Sequence, residues 1–236
     1  MNRIRLMLLI VVMSVCQITG NQVYAEQNTN TNSSSDTQFE NIMNAHWAAE
    51  LARNPTFATS VGVRDYDDRL ADPSLQAFDA SIVAAQKFLT QLRGLDPETL
   101  SASHQLNHAL LTLQLENEIE AGQYGGKYLI INNRSGPHLT LTSLVDRLPF
   151  FTQSDFTSYL DRLAAMPQYL ARAKERIRSG LQAGWIQPCE SMHGYEKSIQ
   201  VHMVDNIDDS AFMAPFKNKP AVIDSSSFAA MKARAA

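Results

Sequence analysis

His104 and His108, in the run HQLNH, are the one pair with metal-ligand spacing, because positions i and i+4 of a helix share a face. A zinc peptidase helix also needs a Glu after the first histidine, as general base toward metal-bound water. Gln105 stands there instead, and a neutral amide takes up no proton. With Leu106 and Leu110 defining the buried line, both histidines are expected to face solvent. Ser135 and His138 could be nucleophile and base, but the Gly-Pro turn between them does not fix that geometry and indicates no acidic partner. Asp65, Asp67 and Asp68 lie between Arg64 and Arg69. A calcium loop of the EF-hand type wants glycine at its sixth position and Glu at its twelfth. Counting from Asp65 gives Leu70 and Gln76, so the cluster reads as a salt-bridged loop. Cys189 has His193 four residues on, a conceivable nucleophilic pair, although a lone thiol on an amphipathic helix usually serves packing. No G-x-S-x-G elbow, phosphate loop or dinucleotide fingerprint is present.

Helices have to position these groups. From Thr37 onward, Phe39, Ile42, Met43, His46, Trp47 and Leu51 fall on one helical face, and Asn54-Pro55 stops that helix. Ser74 caps a second, striped by Leu75, Phe78, Ile82, Ala85, Leu89 and Leu92 and ended by Gly94. After Asp96-Pro97, a third runs over about 103–121, with Leu106, Leu110, Leu113 and Asn117 on one line, Leu111 and Leu115 beside it, and Gly122 at the C-terminal cap. The short link makes an antiparallel hairpin of these two. Thr152 and Asp155 form an acidic capping box, and Pro167 marks a break or a new start. Leu170, Ala173, Ile177 and Leu181 then lie under a basic face of Arg172, Lys174, Arg176 and Arg178, read as solvated. Met192, Tyr195, Ile199 and Met203 mark one further helix, and 128–131 is at most a short strand. The expected fold is all-α, an array of antiparallel helical hairpins.

Residues 128–148 are the place where helical periodicity yields to loop chemistry. Gly122, Gly125 and Gly126 precede them, residues 132–137 combine turn formers with a Gly-Pro pair, and His138 follows directly. Such a turn is either the wall of a cleft or a surface connection whose histidine caps the next helix.

Composition bounds the rest. With 236 residues, 44% of them apolar and 19% charged, the chain can bury a sizeable core. Residues 1–25 have the form of an export signal: Arg3 and Arg5, an apolar run over 6–15, and Val23-Tyr24-Ala25 before the cleavage point. That run is well short of the about 20 residues a membrane helix needs. Acylation at Cys16 is disfavoured by Val15 in front of it, where a small residue belongs. The expected location is therefore periplasmic or extracellular. Removing Arg3 and Arg5 from 20 basic residues leaves 18 against 24 acidic ones, which disfavours nucleic acid as a partner. It also leaves Cys189 without a disulfide partner. Residues 26–36, EQNTNTNSSSD, contain no apolar side chain and read as a disordered polar linker before a helical region over 37–236.

Six pieces in order carry a resemblance: WAAELARNPTFATSVGVRDYDDRLAD, LDPETLSASHQLNHALL, NNRSGPHLTL with VDRLPF, YLDRLAAMPQYL, GLQAGWIQP and DDSAFMAPFKNKPA. From about residue 39 to 236 the chain resembles the N-terminal half of the bacterial domain-of-unknown-function 885 proteins. The resemblance implies an exported, largely helical protein similar to H-E-x-x-H zinc peptidases, with peptide substrates and zinc in a full-length relative. In that family the metal-binding helix lies in the C-terminal half, and nothing here matches it, so no metal ligand, catalytic residue or cofactor is expected in this chain. Under the family arrangement Asn133, Gly136, Pro137 and His138 border the substrate cleft, His138 offering a hydrogen bond to a carbonyl or to transition-state charge. Phe228, Met231 and Ala235 begin a stripe of only about two turns, too short to be stable alone. The chain is therefore expected to be the front of a longer protein whose missing C-terminal half completes the fold. The competing expectation is a stand-alone periplasmic module that binds a peptide or a partner.

Overall fold

A computed structural model describes residues 34–236, so the expected export signal and linker residues 26–33 lie outside the described residues. The described residues form ten α-helices and four 3-10 turns with no strand, an all-α fold. None of these helices is long and apolar enough to cross a membrane.

Helix α1 (Ser34–Arg53) begins three residues ahead of the expected start, inside the expected linker. The reason is long-range. Asp36 is buried, and its Oδ1 accepts the Ser101 N–H at 2.9 Å and lies 3.0 Å from His104 Nδ1. Pro55 then opens the short α2 (Pro55–Ser60), with Asn54 at φ −121° as the residue before a proline requires. Helix α3 (Leu75–Arg93) starts where Ser74 Oγ accepts the Ala77 N–H at 3.1 Å, and α4 (Ala102–Gly122) packs back along it across the turn Pro97–Thr99. Phe39, Ala85, Leu89, Leu92, Leu100 and Leu115 fill the core between α1, α3 and α4.

Of the apolar face expected for α4, Leu115 and Leu111 do pack into the core, but the line expected to lead it does not. Leu106, Leu110 and Leu113 are 62%, 56% and 55% exposed, whereas His108 is buried. The rings of His104 and His108 stand 5.2 and 5.9 Å from the Phe39 ring, and His108 Nε2 is 3.0 Å from the Leu92 carbonyl oxygen. Leucines occur around most of this helix, so its apolar pattern selects no face, and Phe39 together with the Leu92 carbonyl decides.

Beyond the turn Gly125–Tyr128, residues 129–131 take up no strand, since no partner strand exists among the described residues. Two short helices follow, α5 (Pro137–Thr142) and α6 (Leu144–Arg147). Helix α7 (Gln153–Gln182) starts with the expected capping box, Thr152 Oγ1 accepting from Asp155 N–H and Asp155 accepting from Thr152 N–H. It runs through Pro167, where a break was expected. A proline inside a helix costs about 3 kcal/mol. Burial of Phe156, Tyr159, Leu160 and Met166 before it, and of Ala173 and Gly180 after it, offsets that cost. Nor is the basic face simply solvated. Arg176 donates to the Lys127 and Pro73 carbonyls, and Arg172 pairs with Asp72 at 2.8 Å.

The one helix expected near residues 192–203 is two, α8 (Cys189–Met192) and α9 (Tyr195–Gln200), parted by Gly194 at φ +81°. Helix α10 (Ser225–Ala235) is capped by Asp224, whose Oδ1 accepts the Ser227 N–H at 2.8 Å. It closes a second core, in which Phe228 and Met231 pack with Phe156, Tyr159, Met213 and Phe216.

Candidate functional site

A groove of about 450 Å³ opens between α5, α7 and α9. Helix α5 contributes Pro137, His138 and Leu141; α7 contributes Met166, Leu170, Ala173 and Ile177. Ile199 of α9 and the following His202 and Met203 close the third side, and Lys174 stands at the edge. An apolar concavity with a few convergent polar groups is the form of a ligand site. A larger groove, about 580 Å³, lies between α1 and α4 beside Trp47, Phe57 and Leu110. It gathers no comparable pair of facing ionisable rings.

Local chemistry sets the position of His138. Pro137 opens α5 and Gly136 lies extended and buried before it. A Cβ on Gly136 would meet His138 Cε1 at 2.9 Å, so the glycine lets the ring fold back on the chain. Nε2 of His138 is 2.8 Å from Ser198 Oγ, and that hydroxyl donates its own hydrogen to the Tyr195 carbonyl at 2.6 Å. Ser198 is thus the acceptor, and His138 carries its proton on Nε2. That polarity is the reverse of a base activating a serine. Burial, followed by the charge of nearby His202, pushes His138 below its ordinary pKa. The two rings are 6.5 Å apart, and His202 Nε2 is buried without a hydrogen-bond partner.

Of the four expected cleft residues, Pro137 and His138 line the groove and Gly136 supports it from behind. Asn133 does not reach it. Exposed on the outer turn, it donates its N–H to the Ser191 carbonyl at 2.8 Å and ties that turn to α8. Ser135 accepts from Asn132 N–H through its carbonyl, and the serine bonded to His138 is Ser198. Sequence reasoning missed Ser198, His202 and Lys174. The first two sit beside the Tyr195–Ile199 stripe at helical spacing, the available signal, and Lys174 was assigned to the solvated face. Cys189 is exposed.

The acidic loop is salt-bridged, as expected. Arg64 reaches both Asp67 and Asp155, and Thr59 Oγ1 donates to Asp67 at 2.5 Å. Burial works against the Asp155 carboxylate, but the Arg64 guanidinium and the N–H groups of Thr152 and Phe151 outweigh it and hold its pKa below the ordinary value. Arg162, 1% exposed, donates to the Arg69 carbonyl at 2.9 Å and to Thr59 Oγ1 at 2.8 Å.

Zinc, which the family resemblance implies, does not fit the side chains described. Among the described residues no three His, Cys, Asp or Glu converge as a donor set. His108 Nε2 is engaged with the Leu92 carbonyl, and His104 lies between Asp36 and Glu40. Comparison with known proteins gives one family: the model of DUF885, bacterial proteins of unknown function, matches residues 55–236. No curated protein matches the chain.

Proposed function

The chain belongs to the DUF885 family, and on that premise we propose that residues 37–236 are the helical scaffold and substrate cleft of an exported zinc-peptidase-like protein. In this reading the chain binds and orients a peptide in the groove beside His138. The zinc ligands and the general base belong to the H-E-x-x-H helix that the resemblance places in the C-terminal half of such proteins. The observation that carries the reading is the groove itself, apolar along α7 and edged by two histidines. The His138 Nε2–H donor supports a positioning role rather than a nucleophilic one.

The groove needs no metal to hold a ligand, and this favours one other reading, a periplasmic module that binds a peptide or a partner without cleaving it. A hydrolysis assay with and without added zinc tests the first reading. The chain is expected to bind apolar peptides and leave them intact, while a family member that includes the H-E-x-x-H helix cleaves them and loses rate when its counterpart of His138 is changed to alanine. Stoichiometric zinc and peptide cleavage by this chain would overturn the proposal, and hydrolysis indifferent to the histidine would favour the binding module.

A further inference from the structure

We infer that the groove receives the C-terminal residue of a peptide, an apolar side chain lying against α7 and the free carboxylate beside Lys174 and His202. This rests on the peptide-binding reading above and adds a direction to it. The ionisable groups lining the groove are His138, Lys174 and His202, all of them basic, and the lining contains no acidic or amide side chain. A peptide's amino terminus would meet no counter-charge there. A carboxylate meets the Lys174 ammonium, which is exposed at the rim and faces no acid across the groove.

His202 supplies the second reason. Its Nε2 is shut off from water with no hydrogen-bond partner, a costly state for a polar atom. His202 lines the same groove as Lys174, so a carboxylate held there would supply the partner that this nitrogen lacks. His138 cannot serve in its place, because its Nε2–H is already given to Ser198. The volume, about 450 Å³, lies in the range of small-ligand pockets, about 300–1,000 Å³. That is room for the end of a chain rather than for a long segment.

Calorimetry on the full chain tests the inference with N-acetyl-Leu-Phe, its C-terminal amide and decanoate as probes. The acid is expected to bind roughly fivefold tighter than the amide, the scale of one exposed ion pair. Lys174→Met should bring the acid down to the amide's affinity, whereas Lys87→Met, at an exposed lysine on α3, should not. Equal affinities for acid and amide in the unaltered chain overturn the carboxylate assignment and leave the peptide-binding reading standing. Failure of both peptides to bind overturns both. Binding of decanoate alone assigns the groove to a fatty acid and overturns the peptide as occupant.

Discussion

His138 donates to Ser198, stacks its ring back over Gly136, and feels the charge of His202 across 6.5 Å. The fold therefore prefers its neutral form. Burial is the larger cause and His202 the smaller, so an NMR titration should place the His138 midpoint below the unperturbed value of about 6.5. His202→Gln removes one opposing charge and should move that midpoint upward; an unmoved midpoint would show the two rings to be uncoupled. A histidine whose folded pKa is depressed contributes in full above about pH 6.5, and the contribution is lost as pH falls from there through the folded midpoint. The Gly-Pro turn before His138 left the sequence with two readings, a cleft wall or a surface connection, and His138 lies in the lining of the groove. His202 and Ser198 were not legible, since their approach depends on how α9 folds back some 60 residues later along the chain.

At the level of elements, what local chemistry could decide was legible. Ser74 and the Thr152–Asp155 box begin their helices where side-chain caps predict. The orientation of α4 was not, because a helix with leucine on most sides gives no directional pattern, and Asp36 and Phe39 on another helix make the choice. Pro167 misled for the same kind of reason, tertiary burial overruling a local preference. The close approach of α7 to the Gly125–Tyr128 turn is equally invisible in the pattern. A Cβ on Gly180 would lie 2.6 Å from Tyr128 Cβ, and one on Gly125 would lie 1.9 Å from the Trp185 ring. Gly180→Ala should therefore destabilise by about 1–3 kcal/mol through overpacking, although alanine is the better helix former. Urea unfolding of the two proteins checks this, and equal midpoints would count against so tight a contact.

Among the described residues the two larger cores lie around Phe39 and Leu115 and around Phe156 and Phe228, a smaller one lies around Leu141 and Leu144, and Arg162 is buried on α7. This buried guanidinium holds the 55–69 segment against α7 through Thr59 and the Arg69 carbonyl. Arg162→Met leaves the Arg69 carbonyl and Thr59 Oγ1 without this donor, while Asp67 keeps Arg64 and Thr59, and should cost about 1–3 kcal/mol. Arg172→Ala, which breaks an exposed pair with Asp72, should cost less than about 1 kcal/mol. Thermal melts of both variants would show the contrast, and similar losses would refute it. The second core also sets an order of events during synthesis. The α3–α4 hairpin uses neighbours in the chain and can zip up early, whereas Phe156 must wait for Phe228 to leave the ribosome. Through that interval α7 stays sticky and open to chaperones, and the nascent chain has a built-in delay before half of it can lock.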